Sequence, residues 1–226
     1  MKKIYLLPLG FLLAAMPLCA DDYGADAGKS SGLFIGVEGG YSFSYTYLDT
    51  ILEDQVNGRK YEGYILDEYD DYDDGVFDYG VKIGWYFKNS DMKAYVSYQR
   101  NTKAENNDGY KEFSDKVSKI LLGYDAVFAK AGDFRFVGGG TLGYANMKLR
   151  IDDYSATYDG FDIGGKAGAI YDLNLHNEIE FGLKTNYSFY KEKTVGSRQI
   201  NSRNYDINIR PYQFSLGVYL GYNFKF

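Results

Sequence analysis

The chain ends in the sequence YQFSLGVYLGYNFKF, which runs from Tyr212 to Phe226. Its residues alternate strictly, because every even-numbered position is large and apolar and most odd-numbered positions are small or polar. Successive side chains of a β-strand point to opposite faces, so this segment predicts one long strand with an entirely apolar face. A strand of a membrane barrel presents such a face to lipid along its whole length. The segment therefore indicates a transmembrane β-barrel.

The other end of the chain has the organisation of a secretory signal peptide. Two lysines precede an apolar run from Ile4 to Met16, and the segment Pro17–Ala20 follows it. The apolar run is too short for a membrane-spanning helix. We therefore expect residues 1–20 to be a signal peptide and residues 21–226 to form an outer-membrane β-barrel domain. A lipoprotein whose mature chain begins at Cys19 is the alternative, although the residues before this cysteine match that signal poorly.

The composition supports a barrel and disfavours other classes of protein. Aromatic residues make up 18% of the chain, with 25 tyrosines, and there are 27 glycines but only 3 prolines. After the predicted signal no apolar run is long enough for a transmembrane helix. The net charge of −6 gives no electrostatic support for nucleic-acid binding. We therefore expect a single barrel domain and no nucleic-acid partner.

Seven further segments show the same alternation as the final strand. In chain order they are Leu33–Tyr45, Phe77–Phe87, Met92–Gln99, Ser118–Lys130, Phe134–Ala145, Phe161–Leu173 and Ile179–Phe189. With Tyr212–Phe226 they make eight strands, an even number that suits a closed antiparallel barrel.

The predicted connections alternate in length. Tight turns are predicted at Asn89–Asp91, Ala131–Asp133 and Asn174–Asn177, and long loops at Leu48–Gly75, Asn101–Lys116, Lys148–Gly160 and Tyr190–Pro211. Short periplasmic turns and longer external loops are typical of outer-membrane barrels. The sequence thus predicts an all-β fold, an eight-stranded antiparallel transmembrane β-barrel with four long extracellular loops, short periplasmic turns and both termini in the periplasm.

With this strand pattern and these termini, the chain resembles the small eight-stranded bacterial outer-membrane β-barrels, the OmpA/OmpX/opacity-protein group. The resemblance covers the whole predicted mature chain, but no sharp motif carries it. It implies a Gram-negative outer membrane, recognition of Phe226 by the barrel-assembly machinery, and outer-membrane lipid and lipopolysaccharide as surroundings. It implies little about function, because the same barrel serves adhesins, enzymes and structural anchors.

The inward face of the predicted barrel carries equal numbers of acids and bases. The acids are Glu38, Asp78, Asp125, Asp162, Asp172 and Glu180, and the bases are Lys82, Lys119, Arg135, Lys166, Lys184 and Lys225. The interior of an eight-stranded barrel holds little beyond its own side chains, and a buried ion needs a partner. We expect a plug of ion pairs, with Glu38 beside Lys82, and Arg135 between Asp125 and Asp172. A narrow, gated ion path is the alternative.

The first and fourth predicted loops have opposite charge. In loop one the acids Asp67, Glu68, Asp70, Asp71, Asp73 and Asp74 are weak candidates for a divalent-cation site, although their spacing does not match an EF-hand. The interleaved Tyr61, Tyr64, Tyr69 and Tyr72 suggest a surface that recognises a host or envelope protein. Loop four is basic and includes Arg198 and Arg203. It either pairs with loop one across the barrel mouth or binds lipopolysaccharide phosphates.

The sequence offers no convincing catalytic constellation. Its one histidine, His176, lies in a predicted periplasmic turn, and no serine has the G-x-S-x-G context. We therefore expect no cofactor and a non-enzymatic barrel that anchors the envelope and displays acidic, Tyr-rich loops for surface interaction or adhesion. The alternative is a narrow, low-conductance, porin-like channel for ions or small solutes.

Overall fold

The computed structural model describes residues 32–62, 71–87, 91–103, 113–151 and 154–226. These residues form ten strands: β1 (Gly32–Asp54), β2 (Lys60–Glu62), β3 (Asp71–Tyr86), β4 (Met92–Lys103), β5 (Phe113–Ala131), β6 (Phe134–Ile151), β7 (Tyr154–Asp172), β8 (Asn177–Tyr190), β9 (Lys193–Ile200) and β10 (Arg203–Lys225). Within these ranges no helix is long and apolar enough to cross a membrane.

Eight of the strands close into an antiparallel barrel. They pair in the order β1, β3, β4, β5, β6, β7, β8 and β10, and β10 then pairs with β1. The stagger of the barrel follows from the register of its strand pairs. A path that starts at Val37 on β1 and steps from each residue to its direct partner on the next strand returns to β1 at Tyr47, ten residues after Val37. With a rise of about 3.3 Å per residue and a strand spacing of about 4.8 Å, this stagger tilts the strands by about 40°. The fold prediction is confirmed.

The outward face of the barrel is an apolar belt. On β10 the side chains of Leu216, Val218 and Leu220 are exposed, whereas the intervening Tyr219 and the polar Gln213 face inward and are buried. Aromatic side chains flank the belt at both ends, and these include Tyr45, Phe77, Tyr98, Tyr144, Phe161 and Phe189 at one end and Trp85, Phe87, Phe134, Phe136 and Phe226 at the other. An apolar band with aromatic girdles is the outer surface that a membrane barrel presents to lipid.

The strands extend further than predicted at the end of the barrel away from Gly32 and Phe226, which was predicted to be extracellular. β1 continues nine residues past Tyr45, and the predicted loop Tyr190–Pro211 is largely a hairpin of β9 and β10. Its turn residues Asn201 and Ser202 have φ of 47° and 65°, values that suit a two-residue hairpin turn. The alternation fails in this region because consecutive residues such as Ile51 and Leu52 are both buried. The apolar–polar alternation from which the strand boundaries were predicted is therefore absent here.

The described turns at the opposite end are tight. Gly132 has φ of 60° in the two-residue turn between β5 and β6, a conformation that glycine adopts without strain. In the turn before β8, Asn174 Oδ1 accepts hydrogen bonds from the backbone amides of His176 and Asn177, both at 2.9 Å. The Asn174 side chain thus stabilises the turn, as is common for asparagine in short connections.

Candidate functional site

The interior of the barrel is organised around the carboxylate of Glu180. It accepts hydrogen bonds from the ammonium groups of Lys93 and Lys166, each at 2.6 Å, and of Lys82 at 3.0 Å. The Tyr219 hydroxyl donates a fourth bond at 3.0 Å. Glu180 has no exposed surface. These donors come from β3, β4, β7 and β10, so this one carboxylate joins strands from across the ring.

A second buried carboxylate, Glu178, lies on the same strand, two residues closer to the turn. Arg135 Nη2 lies 2.8 Å from it and Lys225 Nζ lies 3.3 Å from it. Arg135 also makes two hydrogen bonds to Asp172, at 2.7 and 2.8 Å. The Tyr86 hydroxyl donates to Glu178 as well. A planar guanidinium shared between two carboxylates fixes the geometry of this end of the lumen.

Two further groups of ions lie towards the end of the barrel that was predicted to be extracellular. Lys184 Nζ is 3.3 Å from both Glu38 and Asp78, and Glu38 is also 3.7 Å from Lys82. On the other side of the lumen Lys119 forms an ion pair with Asp162 at 2.6 Å. Ser188 donates a hydrogen bond to the same carboxylate oxygen at 2.5 Å. These groups tie β1 to β8 and β5 to β7.

We call these interior ions the lumen charge network. Its acids are Glu38, Asp78, Asp125, Asp162, Asp172, Glu178 and Glu180, and its bases are Lys82, Lys93, Lys119, Arg135, Lys166, Lys184 and Lys225. The two sets are equal in number, and every member lies within 4.0 Å of an opposite charge. Matched pairing is what allows charges to remain buried in a space that excludes bulk water.

Aromatic rings fill the space between these ions. Lys166 Nζ lies 5.0 Å from the ring centroid of Tyr95 and 5.5 Å from that of Tyr219, distances suited to cation–π attraction. The Tyr95 ring lies over Gly123, its directly paired neighbour on β5, where a Cβ would overlap the ring. Gly123 is therefore required by the close approach of Tyr95, whose hydroxyl donates to Asp125 at 3.3 Å.

Above the charges, one side of the lumen is apolar, whereas Ser44, Thr46 and Gln213 on the paired strands β1 and β10 are buried and polar. This apolar cap consists of Val117, Ala145, Met147, Leu149, Ala156, Tyr158, Tyr190 and Ile209, all buried and in mutual contact, with Leu48 and Val195 packed against it. The apolar cap thus lies mainly on β5 to β8, and buried polar side chains of β1 and β10 face it. The sequence analysis missed this cap, because its residues lie in or beside segments predicted to be loops.

At the end predicted to be extracellular, the described parts of the predicted first and fourth loops lie side by side. Lys60 forms an ion pair with Glu192, and this hydrogen bond raises the pKa of the Lys60 ammonium. The rings of Tyr61 and Tyr205 are 6.2 Å apart and nearly perpendicular. These contacts form the closed rim that was expected from charge. In two further pairs loop four supplies the cation and loop one the anion, since Arg203 lies 3.7 Å from Asp54 and Arg210 lies 3.2 Å from Asp49, whereas the Lys60–Glu192 pair has the opposite sense.

The remaining predicted surface residues are placed as follows. Arg198 is exposed on β9, and Arg203 Nη1 lies 3.7 Å from Asp54. Tyr72, Asp71, Asp73 and Asp74 belong to strand β3 and not to a loop tip, because β3 starts earlier than predicted. Asp67, Glu68, Asp70, Tyr64 and Tyr69 lie outside the described residues. Within the described ranges there is no cluster of three or more His, Cys, Asp or Glu side chains that could hold a metal ion.

His176 lies in the turn before β8, at the end of the barrel away from the hairpin. Its Nδ1 is 2.9 Å from the backbone oxygen of Lys225, and its ring stacks on Phe224. These contacts attach the turn to the final strand. They bring no serine, cysteine or carboxylate to the imidazole.

Two members of the network were not anticipated, and one predicted pairing is wrong. Lys93 and Glu178 were omitted, although both lie at inward-facing positions of their strands. Arg135 contacts Asp172 as expected, but its second partner is Glu178 rather than Asp125. Asp125 instead lies 2.8 Å from Lys166 and 3.5 Å from Lys93. Alternation identifies the face of a residue, whereas contacts across a lumen depend on strand stagger.

No protein-family model matches the sequence, and no curated protein matches it either. The fold is similar to that of Neisserial surface protein A, with 13% identity over 87% of this chain and 99% of that chain and a TM-score of 0.49. It is also similar to Ail, the attachment invasion locus protein of Yersinia pestis, with 13% identity, coverage of 83% and 98%, and a TM-score of 0.38.

A third similar structure is the outer membrane protease OmpT from Escherichia coli, with 9% identity, coverage of 86% and 97%, and a TM-score of 0.42. Because these identities and TM-scores are low, the fold assignment rests on the strand ring and apolar belt of this chain itself. By that ring and belt, the chain is a small eight-stranded β-barrel of the outer-membrane kind.

Proposed function

We propose that this chain is a non-enzymatic, non-conducting protein of the bacterial outer membrane, which anchors in the lipid and presents its extended extracellular strands to a surface partner. Residues 1–20 act as the export signal in this proposal, and both termini lie in the periplasm. The apolar belt with its two aromatic girdles supports the membrane location.

The observation that carries the proposal is the filled lumen. A continuous path for ions needs water or mobile polar groups, yet Lys93, Asp125, Glu178 and Glu180 are all buried and paired. The apolar cap then covers part of the extracellular side of the network. An ion crossing this interior would have to break several buried ion pairs, which is costly. This arrangement supports a plug over the alternative of a low-conductance channel.

The extracellular end supports a role in binding. The strand extensions, the β1–β2 turn and the β9–β10 hairpin together form an ordered platform beyond the apolar belt. Val56 on the β1–β2 turn is 86% exposed, and Tyr61 on β2 is 40% exposed. Exposed apolar and tyrosine side chains on a supported platform provide contact area at low entropic cost.

The proposed surface role is tested by adherence of a non-adherent Gram-negative strain that expresses the protein. Val56→Ser with Tyr61→Ser should lower adherence to host cells or matrix protein several-fold. Leu175→Ser is the matched control, because Leu175 is 78% exposed on the turn at the opposite end and should leave adherence unchanged. Folding of each variant is checked by heat-modifiable gel migration. Equal adherence of all folded variants would contradict the proposal.

A further inference from the structure

Basic side chains are concentrated on the outer surface of one side of the barrel. Lys116 on β5 and Lys148 on β6 are exposed and point outward, on the same strand faces as the belt residues below them. Arg100 on β4 is exposed on the same face. Lys191, directly after β8, is held beside β7 by the hydrogen bond from its backbone amide to Asp159 O at 2.9 Å. We call these four residues the basic arc.

Lys116 and Lys148 are directly opposite each other on paired strands. Side chains in this relation have Cβ atoms about 5 Å apart, and like charges placed there destabilise a sheet. Within the described part of the chain, neither lysine forms an ion pair or hydrogen bond. The fold therefore maintains an unfavourable contact that an anion bound between the two ammonium groups would relieve.

The height of this pair relative to the belt identifies the region of the membrane. With strands tilted by about 40°, each residue gains about 2.5 Å along the barrel axis. Lys116 lies ten residues above the outward Ala126, and Lys148 lies twelve above the outward Phe136. Both ammonium groups thus lie about 25 to 30 Å above the far girdle, where the apolar band ends and the outer-leaflet head groups begin.

The surroundings of the pair suit an anionic group. Ser118 pairs with Arg100 and Asn146, and Thr157 pairs with Lys148, so neutral hydrogen-bonding side chains surround the ammonium groups. The carboxylate of Asp159, on the same side of the barrel, already accepts a hydrogen bond from Asn146 Nδ2 at 2.8 Å and another from Tyr144.

The wall formed by β1 and β10 differs from the basic arc. There the exposed Asp49 pairs with Arg210 at 3.2 Å, so the charges are already matched. In the described part of the chain, exposed cations without an ion pair also occur at Arg59 and Arg198, and Lys191 of the basic arc has Asp159 as a nearby anion. What distinguishes the basic arc is the Lys116–Lys148 pair, in which two like charges face each other on paired strands.

We propose that Lys116 and Lys148, flanked by Arg100 and Lys191, bind the phosphate group of a lipid in the outer leaflet. This inference rests on the proposed membrane location and places the phosphate contacts on the strand wall, not on the basic hairpin. Two ammonium groups facing one phosphate make charge-assisted hydrogen bonds, while the acyl chains of the lipid lie against the belt below.

The test uses the full chain in neutral detergent, with native mass spectrometry to measure retention of lipid A carrying two phosphates. Wild-type protein should bind this lipid about tenfold more tightly than its dephosphorylated form. Lys116→Gln with Lys148→Gln should remove that preference. Arg198→Gln with Arg203→Gln removes the same charge from the hairpin and should change it by less than about twofold.

Lys148→Glu gives a second, sharper variant. A glutamate opposite Lys116 makes a favourable cross-strand pair, so the barrel should keep its heat-modifiable migration while the lipid preference is lost. Equal binding of the two lipid forms by wild-type protein would overturn the site. So would an equal loss in the hairpin variant, or displacement of the lipid by inorganic phosphate at millimolar concentration. None of these outcomes bears on adherence through Val56 and Tyr61, so this inference and the proposed function fail separately.

Discussion

Replacement of Glu180 by glutamine is the most informative change to the lumen, because it removes one charge and keeps the shape of the side chain. Three ammonium groups lose their shared counter-ion. Each keeps a second carboxylate, since Lys166 lies 2.8 Å and Lys93 3.5 Å from Asp125, and Lys82 lies 3.7 Å from Glu38.

Breaking a buried ion pair costs about 3–5 kcal/mol when a charge is left without compensation. Because all three lysines keep another partner, we expect a loss near the lower end, about 3 kcal/mol. Urea unfolding of the barrel in lipid vesicles measures this directly, with the fluorescence of the single tryptophan, Trp85, as the probe. Trp85 faces the lipid and reports loss of the membrane-embedded state.

The matched control is Glu192→Gln, which removes the same charge from the exposed partner of Lys60. It should leave the urea midpoint close to that of wild type, because solvent screens an exposed pair. If Glu180→Gln costs less than about 1 kcal/mol, the carboxylate behaves as a surface ion does, and the reasoning about a dry, paired lumen is wrong.

Two further changes test the packing of the interior. Asp162→Leu should destabilise the barrel by about 3–5 kcal/mol, because it leaves Lys119 buried without a counter-ion. Adding Lys119→Met should restore most of that loss in the same urea assay. A double variant that is no more stable than Asp162→Leu alone would contradict the pairing. Gly123→Ala should cost about 1–3 kcal/mol by displacing the Tyr95 ring, and Gly196→Ala, where a Cβ meets no neighbouring atom, should cost almost nothing. Equal effects of the two alanines would refute this role of Gly123.

The sequence predicts which side chains of the barrel strands point to lipid and which to the lumen. One face of each strand contacts lipid and the other contacts the lumen, so apolar and polar residues must alternate along it. The same rule places Lys93 and Glu178 inward, and they were missed because one lies beside a strand start and the other beside a turn. The strand ends could not be predicted at the end of the barrel away from Gly32 and Phe226. There Ile51 and Leu52 are both buried, so the two faces of the strand no longer lie in different environments and the residues no longer alternate.

The pairing within the lumen was the least predictable feature. Glu180 on β8 contacts Lys82 on β3 and Lys93 on β4, strands that are distant from β8 in the wall. Such contacts depend on the ten-residue stagger of the closed ring, which no single strand encodes. Arg135 illustrates the same limit, since its partner Glu178 reaches it from two strands away.

Planar-bilayer recording of the purified wild-type protein tests the central claim most directly. A lumen filled by paired charges and partly capped by apolar side chains should give no discrete conductance steps in symmetric potassium chloride, at potentials that leave the bilayer intact. Stable, reproducible unitary steps from protein shown to be folded would contradict the plugged lumen and favour the channel.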